Sequence, residues 1–237
     1  MQKFISVVTP CFNEKQNIKN LCEKIKEIFS KLNYNYEHIV IDNKSTDGSR
    51  KILKSIALED KNLKLILNNK NYGHIRSPYH AIMESSGDAT ILISADFQDP
   101  LELIPDLISK WENGSNVVML KRSSSSESFI MKTIRNYFYK FISKISETKL
   151  TKNTTGSGIY DRKIIENLKK INDPYPYFRG LVTELTDNIE TIEFHQPLRK
   201  FGKTKNNFFS LYDIAILGII KHSKFPIRVM ILFGFFF

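Results

Sequence analysis

Asp88-Ala89-Thr90-Ile91-Leu92-Ile93-Ser94-Ala95-Asp96-Phe97-Gln98-Asp99-Pro100 is an apolar run that stops abruptly at a cluster of oxygen ligands. Thr90 to Ile93 shows no alternation of polar and apolar residues, so it reads as a strand buried on both faces, as in a parallel sheet covered by helices. In open α/β sheets, ligands bind beyond the carboxyl ends of the strands. Asp96, Gln98 and Asp99 stand where such a site is expected. Closely spaced carboxylate and amide oxygens suit Mg²⁺ or Mn²⁺ held together with a substrate's phosphates. The competing reading is an ordinary Asp- and Pro-rich turn at the end of a strand.

The flanking sequence repeats the pattern. Phe4 to Thr9 is a strand ending in Pro10-Cys11-Phe12-Asn13-Glu14, and Glu14 to Leu32 carries apolar residues at the i, i+3, i+4, i+7 spacing of a one-sided helix. Tyr36 to Ile41 is a second strand, ending in Asp42-Asn43-Lys44-Ser45-Thr46-Asp47-Gly48-Ser49, with Ser45 or Thr46 placed to cap a helix reaching about Leu58. Leu63 to Leu67 is a third strand, and His74 to Ser86 a helix leading back to the central strand. After Pro100 come a helix from Leu101 to Trp111 and the strand Val117 to Arg122. The alternation predicts an α/β fold: a doubly wound, mostly parallel sheet with helices on both faces.

The chain has 237 residues, 41% hydrophobic and 25% charged, enough to bury a full core as one large domain or one domain with an appendage. Cys11 and Cys22 make neither a disulfide framework nor a metal-ligand pattern and are expected to be core thiols. The opening strand is too short and too β-branched for a signal peptide, so the catalytic part is expected in the cytoplasm. Net charge is +10, but from His195 to Phe237 there are seven Lys/Arg against one acid, Asp213. That basic tail is interleaved with Phe, Leu and Ile and closes on Val229-Met230-Ile231-Leu232-Phe233-Gly234-Phe235-Phe236-Phe237. The mixture favours an anionic membrane surface over nucleic acid.

Neither the Gly-rich turn of a dinucleotide-binding fold nor a P-loop string is present, and Asp42 instead offers a carboxylate to a base or ribose. Ile5 to Glu14, Ile41 to Ser49 and Ser94 to Pro100, in that order and spacing, resemble family 2 glycosyltransferases, within them the branch of polyprenyl-phosphate glycosyltransferases and dolichol-phosphate mannose synthase. The resemblance covers nearly the whole chain. It implies a GT-A fold, a nucleotide-diphosphate sugar donor with UDP-sugars favoured, a divalent metal (Mg²⁺ or Mn²⁺) and an inverting reaction.

Carried over by position, Pro10, Phe12 and Glu14 match the first nucleotide-contacting loop and Asp42 the base-holding carboxylate. Ser94, Ala95 and Asp96 match the donor motif, with Asp96 and Gln98 as metal ligands and Arg122 as a donor-site arginine. The family usually has Asp where this chain has Ser94, so one carboxylate is missing. Asp99 is a candidate substitute, and Ser94→Asp is expected to tighten metal binding. Asn153 to Arg162 occupies the place of a Gly-Asp-Phe-Arg acceptor motif, but reads Thr-Gly-Ser-Gly-Ile-Tyr-Asp from Thr155. Gly156 and Ser157 are acceptor-site candidates, with glycine backbone close to substrate. Asp161 is expected to cap a helix from Arg162 to Ile171. The aromatic turn from Tyr175 enters a short helix whose Arg179 and Glu184 are further acceptor candidates, Glu184 also as a general base. Arg199 to Lys205, after the strand Thr191 to Phe194, matches a lid loop in which Arg199 and Lys205 neutralise the departing diphosphate.

Residues 1–205 thus read as the GT-A catalytic domain and 206–237 as an amphipathic juxtamembrane segment. The helix Phe129 to Ile145 has a broad apolar face and reads as core or membrane-facing packing. The helix Asn206 to Lys221 and the basic flank Lys221 to Arg228 lead into an apolar stretch too short for the roughly 20 residues of a spanning helix. Relatives in the resembled branch often continue into two membrane helices, which implies a truncated membrane segment, with the catalytic domain at the cytoplasmic face of the inner membrane. A homo-oligomer interface is the other use for such a tail. The expected reaction is sugar transfer to a lipid-linked acceptor, polyprenyl phosphate foremost. A transferase acting on sugar hydroxyls in cell-surface polysaccharide synthesis, or a noncatalytic nucleotide-sugar binder, remain as alternatives.

Overall fold

The computed structural model describes residues 2–124, 133, 145, 154–197, 199 and 208–236, without the side chains of 124, 208–211 and 236. In chain order the elements are β1 (Phe4–Cys11), α1 (Ile18–Lys31), β2 (Asn35–Asp42), α2 (Ser49–Glu59), β3 (Leu63–Leu67), α3 (Gly73–Met83) and β4 (Ala89–Leu92). A 3₁₀ turn (Leu101–Leu103) and α4 (Ile104–Glu112) follow, then β5 (Val117–Ser124), β6 (Thr154–Asp161), α5 (Arg162–Ile171), α6 (Phe178–Leu185), β7 (Ile189–His195), α7 (Phe208–His222) and α8 (Phe225–Phe236).

The strands form one sheet in the order β3-β2-β1-β4-β6-β5-β7. Pairings β1 with β2, β1 with β4, β2 with β3 and β5 with β7 are parallel, and β6 is antiparallel to both its neighbours. The expected doubly wound, mostly parallel sheet is what forms. Its core lies in two layers, because successive strand residues point to opposite faces. Ile5 and Val7 of β1, Val40 of β2 and Val118 and Leu120 of β5 pack with Ile18, Leu21 and Ile25 of α1 and Leu107 and Trp111 of α4. Val8, Ile39, Ile41, Val117, Met119 and Tyr160 face the other way, against Ile82 of α3, Ile165 and Leu168 of α5 and Val182 of α6. Both cysteines are buried and unpaired with each other, as core thiols.

Strand β6 is the element that periodicity could not find. Its sequence, Thr154-Thr155-Gly156-Ser157-Gly158-Ile159-Tyr160-Asp161, contains two glycines, which weaken a strand unless neighbouring backbone needs the space. Here it does. A Cβ on Gly158 would sit 2.1 Å from the Val118 carbonyl oxygen of β5, and its φ is +151°. The expectation that both glycines bring backbone near substrate is therefore corrected for Gly158, whose missing side chain is required by β5. Asp161 does cap the following helix, accepting from the Lys163 N–H at 2.9 Å, and it also holds the Trp111 indole N–H at 2.8 Å. The helix expected at Phe129 to Ile145 falls almost wholly outside the described residues.

Topology collects the site on one edge. The carboxyl ends of β1, β2, β3 and β4 lie together because these strands are parallel. Since β6 runs against β4, with Leu92 opposite Gly158, it is the beginning of β6 that reaches this edge. Reversal again at β5 returns its carboxyl end, Arg122, to the same side, and parallel β7 delivers the chain toward Arg199 there too.

Candidate donor and acceptor site

The first two loops of the edge are stitched to each other. Asn13, in the left-handed region at φ +57°, donates its N–H to Ser45 Oγ at 2.9 Å and accepts the Thr46 N–H on Oδ1 at 2.8 Å. The Glu14 N–H donates to Ser49 Oγ at 3.0 Å, and the Lys15 N–H to Asp47 Oδ2 at 2.9 Å. Helix α1 begins only at Ile18, so Glu14 belongs to the loop and not to the helix. Its carboxylate takes the Asn17 side-chain amide on Oε2 at 2.7 Å and pairs with Arg199 on Oε1. Pro10 and Phe12 flank buried Cys11, whose thiol is pushed up to about 12 by burial and by the nearby Asp42 and Glu14 carboxylates. That thiol stays protonated and plays no nucleophilic part.

Asp42, at the end of β2, is fully buried and accepts from the Ser45 N–H and from Arg50 Nε, while Arg50 also donates to the Asn68 carbonyl. Arg50 was not singled out in the sequence. It lies in the first turn of α2, and only the fold turns it back onto β2.

The loop after β4 carries Ser94, Ala95 and Asp96. Phe97 adopts φ +58°, a left-handed conformation uncommon for a bulky residue, which turns the chain sharply after Asp96. The Gln98 N–H donates to Asp96 Oδ1 at 3.2 Å, and Arg199 Nη1 lies 3.8 Å from Asp96 Oδ2. Asp99 is buried. Its Oδ2 accepts from the Ser94 N–H at 3.0 Å, Ser94 Oγ at 2.5 Å and Ser157 Oγ at 2.7 Å. Asp99 thus touches the donor motif through Ser94, and an aspartate at position 94 would face the Asp99 carboxylate.

The remaining candidates line the β6 side. A Cβ on Gly156 would lie 3.4 Å from Arg179 Cγ, and Arg179 Nη1 donates to the Thr154 carbonyl at 2.8 Å. Glu184, on the same helix, is held by His222 Nδ1 at 2.6 Å. This contact lies at the α7 junction and ties Glu184 to the C-terminal helix. His222 escaped sequence reading because it sits in an apolar helix, where a lone histidine carries no signal. Lys205 lies outside the described residues.

Among the described residues no group of three or more His, Cys, Asp or Glu could hold a metal ion. One carboxylate, Asp96, and the Gln98 amide remain. That donor set fits a hard cation that keeps waters and takes its other ligands from phosphate oxygens, as Mg²⁺ does.

Three polar strand ends meet on one edge of a mixed sheet, with Arg199 folded back over them. The family model for glycosyl transferase family 2 matches residues 6–169. This chain belongs to that family. Over 233 residues it is 30% identical to the bactoprenol glucosyl transferase of Shigella phage SfV, covering 98% of this chain and 76% of that protein. Mannosyl-3-phosphoglycerate synthase from Rubrobacter xylanophilus superposes with a TM-score of 0.60 at 14% identity, covering 92% of this chain and 73% of that one. Glucosyl-3-phosphoglycerate synthase from Mycobacterium tuberculosis, solved with Mn²⁺, UDP-glucose and phosphoglyceric acid, gives 0.56 at 16% identity, covering 92% and 77%. The fold is GT-A, as expected, and the protein is a glycosyltransferase.

Proposed function

We propose that this glycosyltransferase moves a sugar, with inversion, from a nucleotide-diphosphate sugar to polyprenyl phosphate at the cytoplasmic face of a membrane. The observation that carries the acceptor class is the state of the carboxylates on the β6 side. Asp99 Oδ2 accepts three hydrogen bonds and Glu184 pairs with His222, so among the described residues both acids on this side are already engaged in contacts within the protein. A phosphate acceptor arrives already anionic and requires no base. The similarity to a bactoprenol glucosyl transferase along nearly the whole chain supports the same acceptor class.

In this reading the base and ribose lie over the Pro10 to Glu14 loop and Asp42, and Arg50 must yield part of its hold on Asp42 to a base N–H. Asp96 and Gln98 would hold Mg²⁺ or Mn²⁺, which would supply positive charge against the diphosphate. Arg199, Arg122 and Lys205 add to that charge as the leaving group departs, the kind of electrostatic stabilisation worth several kcal/mol in a site that excludes water. An acceptor phosphate oxygen bonds to the sugar's anomeric carbon from the face opposite the diphosphate. The carbon–oxygen bond to the diphosphate breaks, and its electron pair leaves with the nucleotide. Arg179, which also donates to the Thr154 carbonyl, is the cation assigned to the acceptor phosphate. UDP-sugars are the favoured donors.

The test is a matrix of UDP-, GDP- and dTDP-sugars with Mn²⁺ or Mg²⁺ and a polyprenyl phosphate in detergent. Release of nucleotide diphosphate together with a glycosylated lipid is the expected result. Donor binding without turnover on any acceptor overturns the enzyme reading in favour of a binder, and turnover only on sugar hydroxyls replaces the acceptor.

A further inference from the structure

Asp99 stands between two parts of the site that are 58 residues apart in sequence. On one side its carboxylate closes the donor loop into a ring, bonding the Ser94 N–H and hydroxyl across Asp96. On the other it holds Ser157, in the first half of β6, beside Gly156 and Arg179. All three bonds converge on one oxygen of a side chain that is 3% exposed. Taking a carboxylate out of water is unfavourable unless hydrogen bonds replace the lost hydration. Joining β4 to β6 does not require that cost, because the two strands are already paired from Ala89 to Leu92. The carboxylate acts beyond the end of that ladder, where no backbone pairing fixes the loop.

We infer that Asp99 is a positioning residue that makes the donor loop and the acceptor strand one rigid unit, so that Ser157 on the acceptor side sets the aim of Asp96 on the donor side. The inference rests on the transferase reading above. Its geometry is specific: Asp96 lies inside the ring closed by Ser94 and Asp99, and the left-handed Phe97 leaves that ring little freedom. Serine suits both partner positions, since a short hydroxyl reaches a carboxylate from a strand without displacing the backbone.

The experiment measures binding of Mn²⁺ with UDP, GDP or dTDP, without acceptor, by loss of the free Mn²⁺ resonance signal, beside a thermal melt of each variant. In the wild type, binding with at least one of the three is expected. Asp99→Asn is expected to weaken it at least about tenfold, and Ser157→Ala about threefold, both with the fold retained. Ser157→Ala in the Asp99→Asn background is expected to add less than twofold, because Asp99 carries the effect. If Asp99→Asn fails to fold, the Ser94→Ala and Ser157→Ala pair provides the same test, their effects being non-additive if one carboxylate transmits both. Unchanged affinity in the single variants, or fully additive effects, overturns the inference while leaving the transferase reading intact. A folded wild type that binds none of the three diphosphates with Mn²⁺ overturns that reading and the inference with it.

Discussion

Arg199 bridges the two ends of the donor site: its guanidinium pairs with Glu14, 185 residues away, and its Nη1 lies 3.8 Å from Asp96 Oδ2. The arginine and both acids are largely buried, with side-chain exposures of 17%, 9% and 17%. The two carboxylates give the arginine counter-charge, and under the proposed reaction a bound diphosphate would supply that charge instead. Arg199→Ala is therefore expected to lower kcat by roughly 10²–10³-fold, the order seen when one preorganised charge-stabilising donor is removed. Steady-state kinetics of the variant check this, and a change confined to KM would place Arg199 in ground-state binding only.

Asp96→Asn removes the carboxylate that both Arg199 and the Gln98 N–H address. It is expected to abolish turnover and Mn²⁺-dependent donor binding while shifting the melting temperature little, since the amide has the same shape and its oxygen can still accept from the Gln98 N–H. Calorimetric titration with a UDP-sugar, with and without Mn²⁺, reads the outcome. Retained metal dependence would remove Asp96 from the metal site.

Ser94→Asp is expected to weaken metal binding and lower stability. The hydroxyl of Ser94 donates to Asp99 at 2.5 Å, and a carboxylate there would face another carboxylate with no cation between them. Two acids sharing a site cannot both ionise without cost, so one is pushed to hold its proton. The double variant Ser94→Asp, Asp99→Ser relieves that repulsion and should recover stability in a melt at pH 7. Tighter Mn²⁺ binding in the single variant would contradict the geometry.

These three cases mark how far the sequence was legible. The parallel half of the sheet was open to reading because β1, β2 and β4 are apolar runs that end in polar clusters, and Leu63 to Leu67 was placed to the residue. Asp42, Asp96 and Glu14 followed from that edge. Strand β6 was hidden because Gly156 and Gly158 serve neighbours that no local pattern reveals. Partner choice was hidden for the same reason. Asp42 with Arg50, Asp99 with Ser157 and Glu184 with His222 are contacts made by the fold between residues separated in sequence.

Stability should fall in acid partly through His38. It is buried in β2 with Nε2 3.0 Å from Thr9 Oγ1, and burial pushes its pKa down to about 4. An unfolded histidine titrates near 6.5, so between about 6.5 and 4 the unfolded chain binds more protons than the folded one. Stability contributed by neutral His38 is thus complete above about pH 6.5 and is lost as pH falls toward 4. Urea unfolding at pH 7 and pH 5 is expected to show a smaller difference for His38→Gln than for the wild type. An equal difference would assign the acid sensitivity to other groups.

The C-terminal helices divide the tail into a docked part and an exposed part. Helix α7 is fixed to the catalytic domain at its end: His222 binds Glu184, Lys221 pairs with Asp173 at 2.8 Å, and buried Gly218 packs on the Tyr177 ring. Helix α8 exposes much of its apolar surface, with Met230 74% and Phe235 89% exposed. Twelve residues span about 18 Å, short of the roughly 30 Å of a bilayer's hydrocarbon core, and among the described residues no helix is long and apolar enough to cross a membrane. An apolar face of that kind, flanked by Lys221, Lys224 and Arg228, suits an anionic bilayer surface. Each cation near such a surface contributes roughly 1 kcal/mol, which salt screens, whereas each buried Phe, Ile or Leu adds about 1.5–3 kcal/mol that salt does not remove. The full chain is therefore expected to sediment with vesicles containing anionic lipid and to be only partly released by high salt. Ending the chain at Lys224 should release it with the melt unchanged, whereas ending it at Asn206 should also lower the melting temperature, because Tyr177 and Glu184 lose the helix they hold. Liposome co-sedimentation at two ionic strengths, beside thermal melts of both truncations, reads these outcomes. If the full chain stays in the supernatant at low salt and elutes as a dimer, α8 is an interface between two copies and the membrane assignment fails.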